Sequence, residues 1–93
     1  MKPMKMRAKV TVKGFVQGVS FRYYTVEQAA LHNVRGWVKN LANGDVMGCF
    51  EGDAKDVKAL IDWCRIGPRL ARVDEVVVEP EDYTGEFRDF RVR

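Results

Sequence analysis

An asparagine–glycine pair at the middle of the chain, Asn43-Gly44, constrains the fold more than any other feature. Such a pair closes a tight turn between antiparallel strands. The segments on either side suit that role: Arg35–Asn40 leads in, and Val46–Glu51 leads out with Val46, Gly48 and Phe50 on one face. A hairpin therefore sits at the centre, and the remaining elements must be arranged around it.

Upstream, Ala8, Val10 and Val12 alternate with Arg7, Lys9, Thr11 and Lys13, the period of a half-buried strand. A helix is predicted from Phe21 to His32, with Phe21, Thr25, Ala29 and His32 on one side and Ser20 as its N-cap. Asn33 suits a left-handed stop, after which Val34 folds back onto the helix. Downstream, Gly52 breaks the hairpin strand and Asp53 caps a second helix, with Asp56 three positions on. The buried stripe of that helix is Val57, Leu60, Ile61 and Cys64, and Gly67-Pro68 ends it. Val73–Glu79 reads as a strand, Pro80–Glu86 as a turn region, and Phe87–Val92 as a short last strand with Phe90 and Val92 on one face.

The order strand, helix, strand, strand, helix, strand predicts an α+β fold, the ferredoxin-like two-layer sandwich (βαββαβ). Its sheet is mainly antiparallel, both helices lie on one face, and a short extra strand is added at the C-terminus. With 93 residues, the chain is read as one domain over 1–93, with 1–6 as a flexible tail.

No segment approaches the roughly 18–20 consecutive apolar residues of a membrane span. The basic opening MKPMKMR runs into alternation rather than an apolar leader, so a cytoplasmic location is expected. Cys49 and Cys64 lack CxxC spacing and read as two reduced thiols. The first 26 residues hold Lys2, Lys5, Arg7, Lys9, Lys13 and Arg22 with no acid, although the net charge is only +3. Two readings stay open: an anionic partner, or a solvated strand edge defended by lysines. The aromatic residues Trp37, Trp63, Tyr23 and Tyr24 are read as core or core-rim packing.

In a split βαβ unit the first and second strands run parallel with the third between them. Their C-terminal ends then share one sheet edge, about 10 Å apart. The Gly14–Ser20 loop and Asn40 meet there. Gly14 and Gly18 allow left-handed backbone angles, so the N–H groups of Val16 to Phe21 are predicted to converge as an anion nest. Arg22 opens the following helix, where a cation is disfavoured unless an anion offsets it. Phosphate suits both the nest and a planar guanidinium fork. The alternative is a plain tight connection whose arginine pairs with a surface acid. Neither GxxxxGK[ST] nor GxGxxG is present, so nothing implies a nucleotide.

The stretch Gly14-Phe15-Val16-Gln17-Gly18-Val19-Ser20-Phe21-Arg22 resembles the first signature of the acylphosphatases, G-x-V-Q-G-V-x-F-R, at every fixed position. Gly36-Trp37-Val38-Lys39-Asn40, then Gly44-Asp45-Val46 and Gly52, is similar to their second signature, and the likeness runs from Arg7 to Val92. The resemblance implies hydrolysis of acyl phosphates, with Arg22 and Asn40 as catalytic residues. Arg22 and the backbone of Phe15, Val16, Gln17, Gly18, Val19, Ser20 and Phe21 would hold the phosphate, and Asn40 would orient the water. It further implies no metal, no cofactor and no covalent intermediate, with inorganic phosphate as product. A monomer without nucleic-acid or membrane partners is expected. Ala42 and Asn43 depart from the threonine or proline and the aspartate of many relatives, which removes a hydroxyl.

Two rivals have concrete grounds. RNA-recognition domains share this topology, and Lys13-Gly14-Phe15 imitates the start of RNP1, but the following Val16-Gln17-Gly18 does not. Acylphosphatase-like modules also occur inside larger carbamoyl-transfer proteins. The end of the chain at Arg93, without a linker, favours a free-standing enzyme.

Overall fold

A computed structural model describes residues Met4–Arg93. Seven elements follow in order: β1 (Lys5–Phe15), α1 (Phe21–Leu31), β2 (Arg35–Asn40), β3 (Val46–Asp53), α2 (Ala54–Ile66), β4 (Arg72–Glu81) and β5 (Phe90–Val92). The sheet order is β4-β1-β3-β2-β5. Neighbouring strands are antiparallel except β2 and β5, which are parallel. This is the ferredoxin-like sandwich with its added strand. β1 and β2 run the same way with β3 between them, so both end at the same edge.

Both helices cover one face. α1 lies over β2 and β5, and α2 lies over β1, β3 and β4. Ala8, Val10 and Val12 of β1, Val46 and Phe50 of β3, and Val57, Leu60 and Cys64 of α2 form the core between them. Phe21 meets Trp63 with ring centroids 5.4 Å apart, joining the two helices over the sheet. Asn33 takes the left-handed stop (φ 56°), and Val34 N–H donates to the Ala29 carbonyl at 2.8 Å while burying its side chain. Among the described residues, no helix is long and apolar enough to cross a membrane.

β1 runs longer than its alternation suggests because it is an inner strand, paired on both sides. Lys5 and Met6, expected in a flexible tail, instead pair with Asp53 and Gly52, while 1–3 lie outside the described residues. The reading of β1 as a lysine-defended edge is therefore wrong. Its cations pair with acids of β3, β4 and the β2–β3 turn: Lys5 with Asp53 (2.7 Å), Lys9 with Glu79 (3.0 Å) and Lys13 with Asp45 (2.9 Å). β4 reaches Glu81, past the predicted stop, and accommodates Pro80 because it is an edge strand whose outer side needs no donor. Two predicted caps also differ. The Ser20 side chain makes no cap bond, and the Asp53 carboxylate turns to Lys5 instead of the α2 backbone, whose Ala54 N–H donates to the Met4 carbonyl at 2.7 Å.

The segment from Asp82 to Asp89 must cross from the β4 edge to the β2 edge, and Arg7 and Glu51 hold it there. Arg7 bonds Glu81 (3.0 Å), Glu86 (2.6 Å) and Thr84 Oγ1 (3.1 Å), and its guanidinium lies 5.4 Å from the Phe87 ring centroid. Glu51, only 2% exposed, accepts from Thr84 N–H at 2.9 Å, from Thr84 Oγ1 at 3.1 Å and from Arg7 at 3.4 Å. Phe87 thus belongs to this strap, so the last strand shortens to Phe90–Val92. Tyr23 and Tyr24 also depart from expectation. They are exposed and stack edge-on at 5.1 Å, because they point away from the buried Phe21–Thr25–Ala29 stripe.

Both cysteines are free and buried, and burial pushes the Cys64 thiol up to about 12. Neither should react with iodoacetamide at pH 8 while the protein is folded; rapid labelling of Cys64 in the native state would contradict this packing. Glu51→Ala should cost about 1.5–3 kcal/mol in denaturant unfolding, because it removes a buried carboxylate together with its charge-assisted bonds to Thr84 and Arg7. Arg7 holds the Glu86 carboxyl below the usual carboxylate range. Its share of stability is complete above that range and is lost as pH falls through the folded value, which acid titration of the Glu86→Gln variant should reveal as a weaker decline.

Candidate active site

The loop after β1 turns left-handed twice, at Gly18 (φ 75°) and at Ser20 (φ 63°, ψ 26°). Nothing crowds the Cβ that Gly18 lacks, so the backbone angle rather than space demands glycine. Gly14, expected to serve the same bend, has a different task. It lies at the register shift between β1 and β4, where a side chain would run into the Arg72 carbonyl and the Asp74 amide. Ser20 has a side chain and still holds the left-handed angle, at a cost of about 1–3 kcal/mol. Its carbonyl starts α1 by accepting from Tyr24 N–H at 3.1 Å.

This bending leaves donors over. Among the described residues, the backbone N–H groups of Gln17, Gly18, Val19, Ser20 and Phe21 donate to no protein oxygen. Arg22 follows directly, half-buried in a first helical turn that contains no acid. Every other cation of the first 26 residues that is described has a carboxylate partner; Arg22 has none among the described residues.

Asn40 is the last residue of β2, and its Oδ1 is buried without a hydrogen-bond partner among the described residues. An unmet buried acceptor is uncommon in folded proteins and calls for a reason. The turn beyond it is closed by Gly44 N–H to the Leu41 carbonyl (3.2 Å), with Gly44 at φ 97°. Asn43 Oδ1 accepts from Asp45 N–H at 3.0 Å, so this departure from the family pattern still supports the turn. From the loop, Gln17 Nε2 reaches across to the Leu41 carbonyl (2.7 Å) and the Asp45 carbonyl (2.9 Å).

A cavity of about 820 Å³ opens between these parts. Val16, Gln17, Gly18, Ser20, Phe21, Arg22 and Asn40 line it, so most of the predicted site does come together. Phe15 and Val19 do not line it: Phe15 ends β1 and is exposed, while Val19 is buried in the core. The sequence reading missed the far wall, made by Tyr23 and Val26 of α1 and by Phe90, Arg91 and Val92 of β5. Val26 was detectable as the position one turn after Arg22. The β5 contribution was not, because it depends on a parallel pairing at the opposite edge of the sheet. Phe50, the aromatic of the third strand, is 1% exposed against Phe90 and presents no face for a base to stack on.

The family model for acylphosphatase matches residues 8–92. An acylphosphatase of Geobacter sulfurreducens is 62% identical over 90 residues, covering 97% of this chain and 99% of its own. The solved acylphosphatase of Coxiella burnetii superimposes with a TM-score of 0.85 at 40% identity, over 96% of this chain and 93% of that one. That of Bacillus subtilis gives a TM-score of 0.91 at 26% identity, over 95% and 98%. With the Gly14–Arg22 loop and Asn40 brought to one sheet edge and these relatives matched over nearly their whole lengths, the chain belongs to the acylphosphatase family, hydrolases of phosphorus-containing acid anhydrides.

Proposed function

We propose that the protein hydrolyses acyl phosphates by holding the phosphoryl group between the loop amides and Arg22 while Asn40 orients the attacking water. The observation that carries this reading is the pairing of unused polar groups. Five successive N–H groups and a guanidinium lack protein partners, and across the cavity Asn40 Oδ1 lacks a donor, all among the described residues. The donors match phosphate oxygens, and the acceptor matches a water hydrogen.

The chemistry asks for little more. The water oxygen forms a bond to phosphorus as the bond to the acyl oxygen breaks, and the carboxylate leaves with the electron pair. A carboxylate is a good leaving group, and charge in the loose transition state spreads over the equatorial phosphoryl oxygens. The amides and Arg22 neutralise that charge in place, and Asn40 fixes the line of attack. The water's proton passes to an oxygen of the substrate's own phosphate, which explains a site without a strong general base. Among the described residues no three His, Cys, Asp or Glu side chains group as metal ligands, and turnover in EDTA is expected.

Three outcomes follow for benzoyl phosphate hydrolysis in EDTA. Arg22→Ala should abolish turnover, and Arg22→Lys should recover little, since an ammonium lacks the planar fork. Asn40→Ala should raise the barrier by about 2.7–4 kcal/mol while competitive inhibition by inorganic phosphate persists. Wild-type turnover retained in Asn40→Ala would contradict the water-orienting role, and unchanged phosphate inhibition in Arg22→Ala would contradict the cradle.

A further inference from the structure

We infer that the side chain of Gln17 is a positioning residue that sets Asn40 against the phosphate loop, a role separate from that of its backbone N–H. This inference rests on the reading of Asn40 given above. After Phe15 the chain leaves the sheet, and the loop is no longer aligned by strand pairing. The end of β2, by contrast, stays fixed by the pairing of Asn40 with Val46. The loop and Asn40 would therefore be tied only through the body of the fold, across the two strand spacings that separate β1 from β2.

Gln17 closes that gap directly. Its Nε2 carries two hydrogens and meets two carbonyls, Leu41 at 2.7 Å and Asp45 at 2.9 Å. Two acceptors facing the same atom also fix which end of the amide is the nitrogen, since an oxygen there would be repelled by both. Leu41 is covalently next to Asn40. The Asp45 carbonyl also accepts from Leu41 N–H at 2.8 Å, so the side chain grips both strands of the turn at its closure. Among the described residues, no other hydrogen bond joins 16–20 to 41–45. Lys13 adds a second tether from β1, its Nζ lying 2.9 Å from Asp45 Oδ2, but that bond holds the turn to the strand and not to the loop.

The consequence is a distance. The spacing between loop amides and Asn40 sets where the water stands relative to phosphorus, and misplacement by about 1 Å can cost 10²-fold in rate. Phosphate binding needs only the loop and Arg22, so it is indifferent to the clamp.

A double-mutant cycle separates this role from general support. Gln17→Leu keeps the backbone N–H and removes both side-chain bonds. It should lower kcat for benzoyl phosphate by about 10- to 100-fold, with the inhibition constant of inorganic phosphate changed by no more than about twofold. In the Asn40→Ala background the same substitution should cost less than about twofold, because the group it positions is gone. Equal losses in the two backgrounds, or a parallel loss of phosphate inhibition, would overturn the inference. Wild-type kcat in Gln17→Leu would overturn it as well. If Asn40→Ala itself left turnover intact, the underlying reading of Asn40 would fail, and that result is visible before Gln17 is touched. Should Gln17→Leu fold poorly, Gln17→Asn, one methylene too short to span both carbonyls, should show the same split between kcat and phosphate inhibition.

Discussion

The parallel run of β1 and β2, with β3 held between them, is the constraint on which the rest depends. It brings the end of one strand and the loop after the other to a single edge at a separation set by interstrand hydrogen bonding. α1 then rises from that edge with its N-terminus at the cavity, which fixes Arg22 there. Parallel addition of β5 beside β2 completes the far wall. Each part of the candidate site is thus a consequence of strand order, and the Gln17 side chain bonds across the separation that strand order leaves.

Charge is distributed by the same geometry. Six cations and no acid in the first 26 residues look like a binding patch when read in one dimension. In the fold, β1 is flanked by β3 and β4, and the acids of those strands, of the β2–β3 turn and of the 82–89 strap face its cations. The pairing removes the strand from consideration as an anion surface. Arg22 differs because a helix start surrounded by amide donors offers it no carboxylate. Its lack of a carboxylate partner among the described residues, rather than the overall basic charge, is what supports the proposed phosphate site.

Much of this was legible in the sequence for physical reasons. Periodicity exposed β1, the stripes of α1 and α2, and the central hairpin, because each buries one face. Asn33 revealed its stop through a left-handed preference that few residues share. Other features were hidden because they depend on long-range partners. The Asp53 side chain turned to Lys5, a residue 48 positions away. Gly14 answers to the backbone of β4 and not to the loop. Gln17 sat inside the signature as a backbone donor, and nothing local shows that its side chain crosses to Leu41 and Asp45. Phe90 to Val92 joined the cavity wall only through the strap that Arg7 and Glu51 hold.

The central claim is that one anion is held by the loop amides and Arg22 at the sheet edge. Titration of isotopically labelled protein with inorganic phosphate, followed by amide and guanidinium nitrogen–proton correlation spectra, tests it most directly. Saturable shifts are expected on the amides of Gln17 to Phe21 and on Arg22 Nε–H, with the cross-strand pairs of Lys5, Arg7 and Lys9 unmoved. Shifts confined to those β1 cations, or none at the loop, would contradict it.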